Sequence, residues 1–153
     1  MEDLFTDNYF MRLALKEAYK AFETNEVPIG AIIVARNQVI SKGYNQVEML
    51  NDVTAHAEIL AITSASQYYG SKYLTDCTLY VTIEPCCMCA GALRWAQLER
   101  VVYGAADEKF GFMRFGKEML HPKTKLAYGV CEIEAQQLMK RFFEEMRTEK
   151  KEQ

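Results

Sequence analysis

Apolar, β-branched runs alternate with helical-period segments along this chain, and that alternation leaves few ways to fold it. The run 29–35 is apolar and β-branched, so it reads as a buried strand. Arg36-Asn37 makes a tight turn into 38–44, which gives a hairpin. Further strands are predicted at 78–83, 101–103 and 127–131. A helix is predicted over 8–23, where Phe10, Leu13, Ala14, Ala18, Ala21 and Phe22 fall near helical spacing. Others are predicted over 54–66, over 86–97 and from 132 onward. Asp7 or Asn8 is the expected cap of the first helix and Thr54 that of the second. Pro85 stops the third strand, since proline has no N–H to give to the ladder. Residues 105–125 show no clean period. Strands alternating with helices imply an α/β layered domain, and the opening hairpin makes the sheet mixed. No repeat and no Gly/Ser/Pro-rich linker divides the 153 residues, so one domain over 1–153 is expected.

Two clusters carry the chemistry. His56-Ala57-Glu58 stands near the start of one predicted helix, and Pro85-Cys86-Cys87-Met88-Cys89 at a strand-to-helix turn. The chain has five cysteines, an odd number, with an acidic Met1-Glu2-Asp3-Leu4 start that lacks the features of a signal peptide. Reduced thiols, a cytoplasmic setting and a metal site are therefore expected, not a disulfide framework. No apolar run reaches membrane-span length, so no membrane partner is expected. One imidazole and two thiolates suit Zn²⁺. Cys86 and Cys89 are three apart, so both fit one face of a helical first turn, whose N-terminus favours the anionic thiolate. His56 comes from a second helix start facing the first. Three protein ligands leave the fourth tetrahedral position open, as in a catalytic site, where bound water becomes a nucleophilic hydroxide near neutral pH. Glu58, two residues past the histidine, leans over that water. It can carry a proton to a substrate nitrogen and to a leaving amine, which is general acid–base work. These parts fit hydrolysis of an amidine-like carbon, as in deamination of a nucleobase.

His56-x-Glu58 followed by Pro85-Cys86-x-x-Cys89 is the signature of the zinc nucleobase deaminases. The chain resembles the cytidine-deaminase-like superfamily and, within it, the bacterial tRNA-specific adenosine deaminases. The matching stretches are 26–31 (EVPIGA), 54–58 (TAHAE), 79–86 (LYVTIEPC), 88–92 (MCAGA) and 101–105 (VVYGA). The match runs from about residue 8 to Lys109. The resemblance implies a three-layer α/β/α fold around a mixed, mostly five-stranded sheet. It also implies one Zn²⁺ per chain on His56, Cys86 and Cys89, with Glu58 as the catalytic proton shuttle. It implies substrate contacts from Asn45 to the purine, from the Ala57 N–H to the base, from Ile29 as an apolar wall, and from Asp107 near the sugar. A homodimer that takes the tRNA anticodon loop as a splayed single strand completes what it implies, with adenosine converted to inosine at the wobble position.

The chain departs from the family after Lys109 and resembles it again in the last helix, at 138–143 (LMKRFF) and Arg147. Phe110-Gly-Phe-Met-Arg-Phe115 replaces the family's small-residue segment, and His121-Pro122-Lys123 stands without its Asn-His pair. The net charge of −3 and a pI of about 5.5 argue against field-driven nucleic-acid binding, and no DNA partner is expected. These two features keep a second function open: deamination of a free guanine, cytosine or cytidine-type nucleotide. A third, a non-catalytic zinc-stabilised scaffold, would not need Glu58. Cys87 is read as packing beside the ligands, and Cys77 and Cys131 as small buried hydrophobes. The trio Phe110, Phe112 and Phe115 is read as packing, with a base-stacking surface as the alternative. The charges of the last helix are read as a solvated face with i,i+4 pairs, with an edge that holds tRNA phosphates as the alternative.

Overall fold

The computed structural model describes residues 4–152. In chain order it has helix α1 (Asp7–Glu23), strands β1 (Gly30–Ala35) and β2 (Gln38–Tyr44), and helix α2 (Ala57–Tyr69). Strand β3 (Cys77–Ile83), helix α3 (Cys87–Ala96), strands β4 (Arg100–Ala105) and β5 (Lys125–Tyr128), and helix α4 (Glu132–Glu152) follow. The strands form one five-stranded sheet in the order β2-β1-β3-β4-β5. β1 runs antiparallel to both β2 and β3, whereas β3, β4 and β5 run parallel. The mixed α/β architecture expected from the alternation is the one found.

The pleat sorts the sheet's side chains into two cores. Ala31, Ile33, Leu79, Val81 and Val101 pack with Ala57, Ala61 and Ala65 of α2 and with Ala90, Leu93 and Ala96 of α3. Ile32, Val34, Tyr80 and Val102 point the other way, onto Phe10, Met11 and Ala14 of α1. Ala135 of α4 joins Leu15, Ile83 and Ala105 on that second face. Three layers result, and β1 is apolar at every position because both of its faces are covered. Arg36 and Asn37 both have positive φ, 51° and 62°, the pair of left-handed residues that a two-residue hairpin turn needs.

Several boundaries differ from the sequence reading. Thr6 caps α1 by accepting the Tyr9 N–H at 3.1 Å, one residue before the expected Asp7 or Asn8. Asp7 is drawn away by Arg100, as described below. Thr54 does not cap α2. Its hydroxyl and N–H both go to Asp52, and His56 takes the N-cap place instead. β5 covers Lys125–Tyr128, earlier than expected, because Gly129 at φ 85° and Cys131 at φ 55° turn the chain into α4. Cys131 is thus only half-buried, while Cys77 is fully buried as expected. The unreadable stretch between β4 and β5 holds two short 3-10 turns, Phe112–Arg114 and Lys117–Met119. It also splits the phenylalanine trio: Phe112 is fully buried, whereas Phe110 is 68% and Phe115 65% exposed. Among the described residues no helix is long and apolar enough to cross a membrane.

Candidate active site

The helices α2 and α3 begin side by side, and each starts on a ligand-type residue. His56 occupies the N-cap of α2 and Cys86 that of α3, both with extended backbone. Gly43 of β2 lets α2 lie this close to the sheet, since a Cβ there would stand 2.5 Å from the Ala57 carbonyl oxygen. Cys89, in the first turn of α3, is buried. Cys86 Sγ lies 3.6 Å and Cys89 Sγ 3.5 Å from His56 Nδ1. A tetrahedral zinc with Zn–N near 2.05 Å and Zn–S near 2.3 Å requires N···S separations of roughly 3.6 Å. The donor set therefore fits zinc both in kind and in spacing. Among the described residues it is the one His/Cys/Asp/Glu group with this convergence, and Cys87 is outside it.

The electrostatics follow from the contacts. A hydrogen bond from the Cys89 thiol, helped by His56, holds the Cys86 thiol down to about 4. Cys89 is pushed up because it is the donor in that bond and is buried. The Cys86 sulfur raises the His56 imidazole, which also hydrogen-bonds the backbone of Val53. Such backbone support fixes a ligand ring's orientation. Glu58 is 3% exposed, and its carboxyl interacts with the Cys89 thiol. Burial pushes that carboxyl up to about 7, into the range where a group both takes and returns a proton at neutral pH.

His56 and Glu58 form part of the wall of a cavity of about 570 Å³. Asn45, Ala57 and Ile29 also line it, so three of the four substrate-contact candidates share this space with the metal-type cluster. Ala57 is the first residue of α2, and its N–H has no partner within the helix. The Asn45 amide donates to Val27 O and accepts from Val47 N, both long bonds at 3.3 Å. Asp107 is not brought to this cavity. It lines an adjoining one, and its carboxylate accepts the N–H groups of Lys109 and Phe110, each at 3.1 Å.

The sequence reading missed several participants. Phe142, Phe143 and Met146 of α4 close one side of the cavity. On a helix such residues give the same stripe as ordinary core packing, so nothing local marks them. Glu26 is almost fully buried, and its carboxylate accepts Glu48 N at 2.9 Å and Met49 N at 2.7 Å. This pins the loop that carries Asn45 and Val47. Glu84 does the same on the other side, accepting Asp107 N at 3.1 Å and Met113 N at 3.0 Å. Gly111 packs directly on the Glu84 carboxylate, where no Cβ would fit. An isolated bridge between Cys86 and Gly111 completes the tie from the ligand turn to the segment after β4.

Comparison with known proteins agrees with this geometry. Residues 5–105 match the cytidine and deoxycytidylate deaminase zinc-binding region. A tRNA-specific adenosine deaminase of Aquifex aeolicus is 46% identical over 144 residues, covering 91% of this chain and 95% of that protein. A solved structure from studies of A-to-I editing by tRNA:A34 deaminases at the wobble position of transfer RNA is 41% identical. It superposes with a TM-score of 0.80 over 85% of this chain and 98% of that one. A guanine deaminase structure from Bacillus subtilis is 40% identical with a TM-score of 0.61, over 63% of this chain and 62% of that one.

Proposed function

The chain belongs to the cytidine and deoxycytidylate deaminase zinc-binding family and, within it, to the tRNA-specific adenosine deaminases; we propose that it hydrolyses the wobble adenosine of tRNA to inosine. The observation that carries this reading is one cavity lined both by His56, the imidazole of the His56/Cys86/Cys89 cluster, and by the buried Glu58. His56, Cys86 and Cys89 would hold one zinc ion per chain. Zinc bound there supplies a Lewis acid that brings water's proton loss down toward neutral pH.

The chain's own residues do the rest. Glu58 accepts a proton as water adds to C6 of the adenine ring and delivers it to the ring nitrogen. It then takes the remaining hydroxyl proton and passes it to the amine, which leaves as ammonia as the C6–N bond breaks and the C6 carbonyl forms. No oxidant or reductant enters the balance. The Ala57 N–H and the Asn45 amide hydrogen-bond the base, and Ile29 gives it an apolar wall. Phe142, Phe143 and Met146 shield the cavity from water on the α4 side. In this reading Asp107, which lines the adjoining chamber, meets the sugar of the same nucleotide.

The domain acts as a homodimer in this reading. Tyr68, Tyr73, Met88 and Trp95 are exposed on or beside α2 and α3, and Trp95 is 78% exposed. An apolar face of this kind marks an interaction site. The five free cysteines, with two needed as metal thiolates, fit the reducing cytoplasm.

A second reading, deamination of a free base, draws on the acidic pI and the likeness to the guanine deaminase. One incubation series separates the two. Zinc-loaded protein is given an anticodon stem-loop with A at the wobble position, or free guanine, cytosine, adenosine or deoxycytidylate. Mass spectrometry reads the mass change from replacing NH₂ by OH. Inosine in the RNA alone is expected. Turnover of a free base with the RNA untouched would overturn the tRNA reading.

A further inference from the structure

We propose that the chamber beside the catalytic cavity seats the base of the nucleotide adjoining the target adenosine, with the Phe110 ring as its stacking wall. This rests on the RNA reading above. The chamber measures about 720 Å³ and shares Val27, Ile29 and Phe143 with the catalytic cavity, so the two are neighbours across those side chains. A strand that places one base over Glu58 runs directly past this second space.

Phe110 is the side chain that sets its character. Its ring stays 68% exposed while Phe112, two residues on, is fully buried. The exposure is not that of a loose loop. Asp107 accepts the Phe110 N–H at 3.1 Å, and Gly111 N donates to Asp107 O at 2.9 Å. Phe112 N donates to Pro85 O at 3.0 Å, and the Arg114 guanidinium donates to the Lys109 carbonyl. A large apolar ring is thus held in water on a backbone fixed from both sides. Such a ring is a ready platform, because little ordering remains to be done when a flat ligand arrives.

The occupant follows from the chemistry. Met139 and Phe143 give the chamber apolar walls, Gln136 gives it a polar amide, and Lys109 brings a cation to its lining beside Phe110. An aromatic face with a cation next to it suits a stacked base with its phosphodiester, and stacking of this kind tolerates any base.

The test uses full-length, zinc-loaded protein and anticodon stem-loops that are intact or carry an abasic nucleotide immediately 5′ or 3′ of the wobble position. Phe110→Ala is expected to raise KM roughly 10- to 100-fold with kcat within about twofold. Phe110→Trp should restore the wild-type KM. One of the two abasic substrates should raise the wild-type KM by a similar factor and add nothing further in Phe110→Ala. Zinc content and Tm confirm that each variant is folded. An unchanged KM in Phe110→Ala, or abasic and Phe110→Ala losses that multiply, would overturn this inference while wild-type editing of the intact stem-loop upholds the RNA reading. A wild-type protein inactive on the intact stem-loop would overturn both.

Discussion

Cys86 and Cys87 carry the same thiol one residue apart, and only the backbone decides their roles. Cys86 occupies the N-cap of α3 and faces His56, whereas Cys87 begins the helix and turns away from the cluster. Cys86→Ala should therefore lose zinc and lower Tm together, because metal binding and folding are coupled. Cys87→Ala should keep the wild-type zinc content and cost at most about 1 kcal/mol, the usual size for a partly exposed side chain. Elemental analysis and thermal unfolding of the two variants check this; zinc lost from Cys87→Ala would mean the thiols are misassigned. The cluster was legible in the sequence because its spacing is local: two thiols three apart and a carboxylate two beyond a histidine. Glu26 and Glu84 were not legible, because their partners lie 22 to 29 residues away. A buried carboxylate on backbone N–H groups leaves no periodic trace.

The elements read well where both faces of the sheet are covered. β1 and the hairpin announce themselves by an unbroken apolar run and a two-residue turn. The stretch between β4 and β5 defeats periodicity because its hydrogen bonds go to distant groups: Glu84, Pro85 and, through Arg94, the carbonyls of Glu118 and Leu120. Glu84 is then a positioning residue for this whole segment. Glu84→Ala strips the acceptor from two backbone N–H groups, a loss of about 1–3 kcal/mol for each one left buried and unpaired. The variant should retain zinc, unfold at lower denaturant and show a raised KM for the stem-loop with a smaller change in kcat. Wild-type KM together with wild-type stability would contradict this role. Helix starts were predicted less well than helix cores, since Thr6 and His56 displace better-looking caps once other partners take Asp7 and Thr54: Arg100 across the fold for the first, Asp52 two residues away for the second.

Across the molecule, one polar junction ties three elements together. The Asp7 carboxylate at the start of α1 receives two hydrogen bonds from Arg100 of β4, at 2.6 and 2.7 Å, and one from Tyr80 of β3, at 2.8 Å. Arg100 holds the Asp7 carboxyl below its ordinary value of 3.8. The native state thus binds this proton less readily than the unfolded chain does. The stabilisation is fully present above the unfolded value and drains away as pH falls through the lower native one. Asp7→Asn should cost about 1 kcal/mol near neutral pH, discounted because the pair is partly exposed. The gap to wild type in denaturant titrations should close as the pH is lowered below about 4. A gap that stays constant with pH would contradict the ionic origin. In the homodimer proposed above, Trp95→Glu places a charge on the exposed α2–α3 face and should give a monomer in analytical ultracentrifugation; a variant that sediments as the wild type does would contradict that face as the interface.

The proposed activity rests on a zinc site whose proton carrier is not itself a ligand, and one paired measurement tests that most directly. Zinc content and inosine yield are determined on the same preparations of wild type and Glu58→Ala, with the wobble-A stem-loop as substrate. One zinc per chain in both proteins, with inosine formed only by the wild type, is the predicted result. Inosine formed by Glu58→Ala at a substantial rate, or zinc lost along with activity, would contradict it.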